Sequence, residues 1–167
     1  MRIGILSDTH DQVARTARAI ALLIAQKVEV LCHCGDLTGP DVVAECSRLP
    51  CYYVFGNNDF EQDRLRRAMI LSRGTCLDRG GVLVFQGRRV AMAHGDCLSE
   101  VRRLSALKPD FLLLGHSHRP SDEQDGPVRR INSGALHRAS AYTVAVLDLA
   151  DDSVQWLKVD EQRLRKL

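Results

Sequence analysis

Residues 2–10 read Arg2-Ile3-Gly4-Ile5-Leu6-Ser7-Asp8-Thr9-His10. An apolar run of this length that halts at a carboxylate and an imidazole reads as a buried strand, Arg2–Ser7, with polar chemistry at its carboxyl end. Moving outward, 12–26 is rich in Ala and Leu. Its apolar Val13, Ala17, Ile20 and Ile24 recur at helical spacing, which predicts a helix with that face inward. Val28–His33 is a second β-branched run, ending at Gly35-Asp36. Pro40–Arg48 reads as a helix with Pro40 in its first turn. Cys51–Phe55 is a third strand, ending at Gly56-Asn57. The order β-α-β-α-β predicts a parallel, right-handed start.

The pattern then changes. Gly80-Gly81 and Gly87 punctuate two short strands, Val82–Phe85 and Arg89–Ala93, which read as a hairpin or bend into a second sheet. Ser99–Leu107 reads as a helix capped by Ser99, with Pro109 just beyond its end. Phe111–Leu114 is a strand ending at Gly115-His116, and Asp122–Pro127 is a polar turn. Arg129–Asn132, Tyr142–Leu149 and Ser153–Val159 complete the strands, the last two joined through Asp151-Asp152. Glu161–Leu167 is a charged tail, helical or frayed. With 167 residues and no repeat or linker, the chain reads as a single domain, 1–167.

Bulk composition excludes several classes of function. The formal net charge of +2 is too small to recruit nucleic acid or a membrane by field alone. No apolar run approaches the roughly 20 residues that span a bilayer. Asp8 arrives before a signal-like apolar core can form, so a cytoplasmic location is expected. The six cysteines include no Cys-x-x-Cys pair and accompany no secretion signal, so disulfides are not expected. Cys32 and Cys34 flank His33 on one strand face. Buried small residues are the favoured reading there over a soft thiolate site.

Each strand ends in residues that bind metals: Asp8-Thr9-His10, Gly35-Asp36, Gly56-Asn57-Asn58-Asp59, His94-Gly95-Asp96 and Gly115-His116-Ser117-His118. Ligands of open α/β sheets bind outside the carboxyl ends of the strands. Four of the six histidines lie at such ends. Singly, a Gly-Asp is a turn and a lone His is a structural residue. Together they describe one cleft. Oxygen and imidazole donors suit Mn, Fe, Co, Ni or Zn. In extended chain, residues two apart face the same side, so Asp8 with His10, and His116 with His118, are expected to share one pocket. The preceding glycines permit tight turns and close backbone approach.

These segments, in this order, resemble the calcineurin-like metallophosphoesterase superfamily, whose pattern is Asp-x-His, Gly-Asp, Gly-Asn-His-Asp/Glu, a His-Gly segment and Gly-His-x-His. The match runs from Ile3 to His118. The chain length and Ile131-Asn132-Ser133-Gly134 resemble the compact single-domain phosphodiesterases of the YfcE type. The resemblance implies an α/β fold, a four-layer αββα sandwich of two mixed β-sheets flanked by helices. It implies that Asp8, His10, Asp36 and His118 hold one divalent ion and that Asp36, Asn57, His94 and His116 hold another, with Asp36 bridging. Manganese is the first expectation, with Fe, Ni, Co or Zn as alternatives. A metal-bridging hydroxide would then attack a small phosphate-ester substrate.

Three departures matter. Asn58 stands where the family has a His credited with protonating the leaving group or stabilising the transition state. An amide can hydrogen-bond a phosphate oxygen but carries no proton to give. This points to diesters and acidic leaving groups. Asp96 replaces a common His, either orienting a ligand His or forming the cleft wall, and is carried as a catalytic candidate with Asn58. Asn132-Ser133-Gly134-Ala135 replaces an Asn-Pro-Gly-Ser turn. Of the remaining histidines, His33 reads as structural, close to Asp36. His137 and Arg138 read as substrate-phosphate contacts or as surface loop. A second class of reading is a partner-binding scaffold of the same fold, as in the retromer subunit, against which the intact ligand set weighs. A third is a phosphomonoesterase or nucleotide hydrolase using Asp96 or His137 as its acid. The oligomeric state is left open, a homo-oligomer included.

Overall fold

The computed structural model describes residues 1–159. Two mixed sheets pack face to face. The first sheet uses β1 (Arg2–Leu6), β2 (Val30–His33), β3 (Cys51–Tyr53), β4 (Thr75–Cys76), β10 (Thr143–Asp148) and β11 (Ser153–Lys158), in the order β11-β10-β1-β2-β3-β4. β1 to β4 run parallel, and the β10–β11 hairpin adds antiparallel to β1. The second sheet uses β5 (Gly80–Phe85), β6 (Arg88–Ala93), β7 (Phe111–Leu114), β8 (Ser121–Asp125) and β9 (Val128–Asn132), in the order β5-β6-β7-β9-β8. Its central strands β6, β7 and β9 are parallel, and its edges are antiparallel.

Side-chain alternation builds three cores. Ile3, Ile5, Cys32, Val54, Met92, Phe111, Leu113 and Ile131 fill the space between the sheets. Leu6, Leu31 and Tyr53 point the other way, onto α1 (Val13–Ala25), α2 (Pro40–Cys46) and α3 (Gln62–Leu71). Ala91, Ala93 and Leu112 face α4 (Leu98–Ala106). The result is the expected αββα sandwich. Both Cys32 and Cys34 lie in the core between the sheets, and burial pushes the Cys32 thiol up. All six cysteines are free. Among the described residues no helix is long and apolar enough to cross a membrane.

Three expectations need correction, and two elements were not foreseen. The inward face of α1 is Thr16, Ala19, Ile20 and Leu23, so the helix is rotated from the Val13-Ala17-Ile20-Ile24 stripe and leaves Ile24 exposed. Ser99 does not cap α4: Cys97 occupies the cap, and Ser99 Oγ lies 3.1 Å from Cys97 Sγ within the first turn. Residues 122–125 of the expected Asp122–Pro127 turn belong instead to the edge strand β8, Ser121–Asp125. Its polar residues show no alternation because it pairs on one side only, with Arg129 clasping Asp122 across the ladder. α3 and β4 have no counterpart in the sequence reading. Only Leu65 and Met69 of α3 are buried, too few to announce a helix among its charges. The tail 161–167 lies outside the described residues.

Candidate metal centre

The carboxyl ends of β1, β2, β3, β6 and β7 meet along one rim, where the two sheets share the edge of the sandwich. Asp8 and His10 follow β1, Asp36 follows β2, Asn57 and Asn58 follow β3, His94 follows β6, and His116 and His118 follow β7. A cleft of about 310 Å³ there is lined by His10, Asp36, Asn57, Asn58, His116, His118, His137 and Arg138. The chain reaches it differently from expectation. Asp8, His10, Asp36, His116 and His118 all have positive φ, between 41° and 66°. The Asp-x-His and His-x-His pairs therefore converge through left-handed turns, not through the alternation of extended chain. Such backbone costs on the order of 1–3 kcal/mol per residue and persists where surrounding structure over-determines it.

Two buried carboxylates sit at the centre. Asp36 Oδ2 is 3.3 Å from His10 Nε2 and 3.4 Å from His94 Nε2. Asp8 Oδ1 is 3.1 Å from His118 Nε2 and 3.9 Å from His94 Nε2. His94 Nε2 also lies 3.2 Å from Asn57 Oδ1. Candidate ligand atoms of Asp8, His10 and His118, and of Asp8, Asp36 and His94, lie within 4.8 Å of one another. His116 lines the cleft with its ring edge-on to His94, centroids 5.1 Å apart.

The hydrogen bonds on the far side of the rings decide what the near side wants. His94 Nδ1 faces the Cys34 carbonyl at 2.8 Å, and His118 Nδ1 faces the Arg138 carbonyl at 3.2 Å. A carbonyl only accepts, so Nδ1 carries the proton in each ring and Nε2 of the neutral ring presents a lone pair. That lone pair confronts carboxylate and amide oxygens, so acceptors meet acceptors. Asp8 Oδ1 is buried and receives no well-formed hydrogen bond. Positive charge is what this geometry lacks. The proton equilibria respond in the same sense. Burial works to raise the Asp36 carboxyl, yet the His10 and His94 rings, which become donors once protonated at Nε2, together with the Asn58 amide hold it well below the usual carboxylate range. Burial works to lower His94, but its contact with Asp36 and the charge of Asp8 raise it. The donor set of carboxylate, imidazole and amide oxygen fits divalent ions.

Residues not singled out by sequence hold the cluster in place. Asp59 Oδ2 accepts from the backbone N–H groups of Asp36 (2.9 Å) and Gly56 (2.8 Å), and its Oδ1 accepts from Thr38 N–H (2.8 Å). Ser7 Oγ donates to Asp8 Oδ2 at 2.6 Å. Asn132 Nδ2 donates to the Gly115 carbonyl at 2.6 Å, while its Oδ1 takes the Gly134 N–H. A Cβ on Gly56 would overlap Asp36 Oδ1, and one on Gly115 would overlap Ser7 Oγ, so both glycines are required by close approach. The sequence signal for Ser7 was its position beside a ligand, and that for Asp59 its place at the end of the Gly56-Asn57-Asn58-Asp59 segment.

The other candidates divide. Asn58 lines the cleft but spends its amide on Asp36 Oδ2, at 2.7 Å. Asp96 is absent from the cleft lining and pairs instead with Arg79 at 2.7 Å, which in turn approaches the Gly56 carbonyl at 3.5 Å. His137 and Arg138 both line the cleft, and the rings of His137 and His10 are 4.8 Å apart. Burial, then the charge of His10, lowers the His137 pKa. His33 is buried outside the cleft, with Nε2 3.1 Å from Thr9 Oγ1, which also contacts the Asp36 carbonyl.

Comparison with known proteins adds the following. Residues 1–152 match the model of the calcineurin-like phosphoesterase superfamily domain. The phosphodiesterase MJ0936 of Methanocaldococcus jannaschii is 29% identical over 155 residues, covering 89% of this chain and 93% of its own. A probable metallophosphoesterase of Methanothermobacter thermautotrophicus is 30% identical, covering 98% of this chain and 89% of its own. The solved structure of an archaeal phosphodiesterase superposes with a TM-score of 0.86 at 26% identity, covering 95% of this chain and 99% of that one.

Proposed function

The chain belongs to the calcineurin-like phosphoesterase superfamily, and on that premise we propose that it hydrolyses phosphodiesters with two divalent metal ions, manganese first among them. The observation that carries this reading is the meeting of the His10, His94 and His118 Nε2 atoms with the Asp8 and Asp36 oxygens, an arrangement that needs cations between its acceptors. We assign Asp8, His10, Asp36 and His118 to one ion and Asp36, Asn57, His94 and His116 to the other, with Asp36 shared. Ions so held would neutralise phosphate charge and lower the pKa of a water placed between them.

The protein's own groups do the rest. The carbonyls of Cys34 and Arg138 fix the His94 and His118 tautomers. Asn58 steadies Asp36 as an anion and supplies no proton. His137 and Arg138 line the same cleft and would contact the phosphate of a substrate bound there. Asp96 is a positioning residue, acting through Arg79 on the turn that carries Asn57 and Asn58. With no proton carrier at position 58, the leaving group departs unassisted at that side, which favours diesters and acidic leaving groups. The substrate is a small phosphate ester met in the cytoplasm.

The test is hydrolysis of bis-p-nitrophenyl phosphate against p-nitrophenyl phosphate by protein stripped with chelator and then given Mn, Fe, Ni, Co or Zn in turn. Diester cleavage that returns with metal is expected. Metal-independent behaviour, or no hydrolysis of either compound, overturns the proposal.

A further inference from the structure

Three hollows share the wall formed by His116. One is the metal cleft. A second, of about 250 Å³, is lined by Leu98, Val101 and Leu114 together with Glu123 and Arg130. The third, of about 430 Å³, is lined by His116, Ser117, His118, Arg119, Arg138, Ala139 and Ser140. The second hollow is partly apolar and offsets its one guanidinium with a carboxylate. The third has two guanidiniums, two hydroxyls and no carboxylate at all.

Among the described residues, neither guanidinium in the third hollow is committed elsewhere. Arg119 and Arg138 are exposed, and no described carboxylate pairs with either. Arg2, Arg79, Arg88, Arg103 and Arg129, by contrast, hold carboxylates. Arg138 is also held at a φ of 46°, with its carbonyl on His118 Nδ1. Its backbone is thereby tied to a candidate metal ligand, and the residue lines both the cleft and the third hollow. Guanidiniums form forked, charge-assisted hydrogen bonds with phosphate oxygens.

We propose that this third hollow is an anion subsite for a second phosphate, with Arg119 and Arg138 as its cationic groups. The substrate class is then a phosphodiester that carries a further phosphate on one arm, such as the terminal unit of an oligonucleotide, and the other arm lies toward Leu98 and Leu114. This rests on the phosphodiesterase reading above.

The test compares kcat/KM of the Mn-loaded protein on three thymidine dinucleotides: one without a terminal phosphate, one with a 5′-phosphate and one with a 3′-phosphate. Bis-p-nitrophenyl phosphate serves as the reference diester. One of the two phosphorylated dinucleotides is expected to be cleaved at least about tenfold more efficiently than the plain one, through a lower KM. Arg119→Ala is expected to bring that ratio close to one, and Arg119→Glu to bring it below one. Equal kcat/KM for all three dinucleotides, with the reference diester cleaved, overturns the subsite and leaves the diesterase reading standing. A preference that survives Arg119→Glu also overturns it. No cleavage of any diester takes both readings down together.

Discussion

Asn58 grips Asp36 twice, its backbone N–H donating to Oδ1 at 2.8 Å and its side-chain amide to Oδ2 at 2.7 Å. Both bonds favour the ionised carboxylate, and neither moves a proton toward substrate. The residue that departs from the family pattern thus supports the centre without offering acid catalysis. Asn58→His places an ionisable group at the cleft wall. General acid catalysis contributes roughly 10²–10⁴-fold when well placed. An unsupported imidazole should give less, so the ratio of p-nitrophenyl phosphate to bis-p-nitrophenyl phosphate hydrolysis is expected to rise about tenfold. An unchanged ratio in a folded, metal-loaded variant would remove proton supply as the origin of the diester preference.

Asp36 is the group on which the proposed ions depend jointly. Its Oδ2 lies between His10 and His94, whose contacts together with that of Asn58 hold it anionic. Asp36→Asn removes that charge and turns part of the side chain into a donor. Metal content by elemental analysis is expected to fall from two ions per chain to one or none. Diester hydrolysis is expected to fall by about 10³-fold, equivalent to about 4 kcal/mol. Two tightly held ions in this variant would exclude Asp36 as the shared ligand.

The layer order and the residues that gather at the cleft were legible because each strand announces itself twice, as an apolar run and as a polar stop. Ile3 and Ile5 before Asp8, and Phe111–Leu114 before His116, are the plainest cases. What was hidden has physical reasons. α3 packs only Leu65 and Met69, so tertiary contact and not pattern makes it a helix. β8 is an edge whose charged residues mimic a turn. The left-handed backbone at Asp8, His10, Asp36, His116 and His118 is announced by no glycine; Asp and His adopt it more readily than most residues, but they are too common elsewhere to mark it. The role of Asp59 depends on three N–H groups from two separate loops, a juxtaposition that no local spacing reports.

Asp59 itself gives a sharp stability prediction. Its buried carboxylate accepts three backbone N–H groups, and burial still raises its pKa. Asn in its place offers one oxygen and turns an NH₂ group against the remaining donors. Losing charge-assisted bonds while stranding buried N–H groups is worth about 2–4 kcal/mol. Asp59→Asn is expected to lower the urea midpoint accordingly and to weaken Mn binding, because the Asp36 and Gly56 N–H groups share its Oδ2. A variant with wild-type midpoint and metal affinity would show that the loops hold without this tie.

His33 is expected to contribute to acid sensitivity. Burial, reinforced by the charge of His94, pushes its pKa from 6.5 down to about 3 in the folded chain. Above pH 6.5 both folded and unfolded forms are neutral at this residue, and it contributes no pH dependence. Below that, the unfolded chain takes up a proton that the folded chain refuses, so stability falls as pH drops from about 6.5 toward 3, by at most about 1.4 kcal/mol per pH unit from this group. Its Nε2 lies 3.1 Å from Thr9 Oγ1, and its Nδ1 is buried without a partner. A glutamine reaches the Nε2 position and does not titrate. His33→Gln is therefore expected to lose about 1 kcal/mol at pH 8 by imperfect packing, yet to lose less than the wild type between pH 6.5 and pH 5. Urea midpoints in chelator, which removes metal release from the comparison, measure both. Parallel wild-type and variant pH profiles would assign the acid sensitivity to other groups.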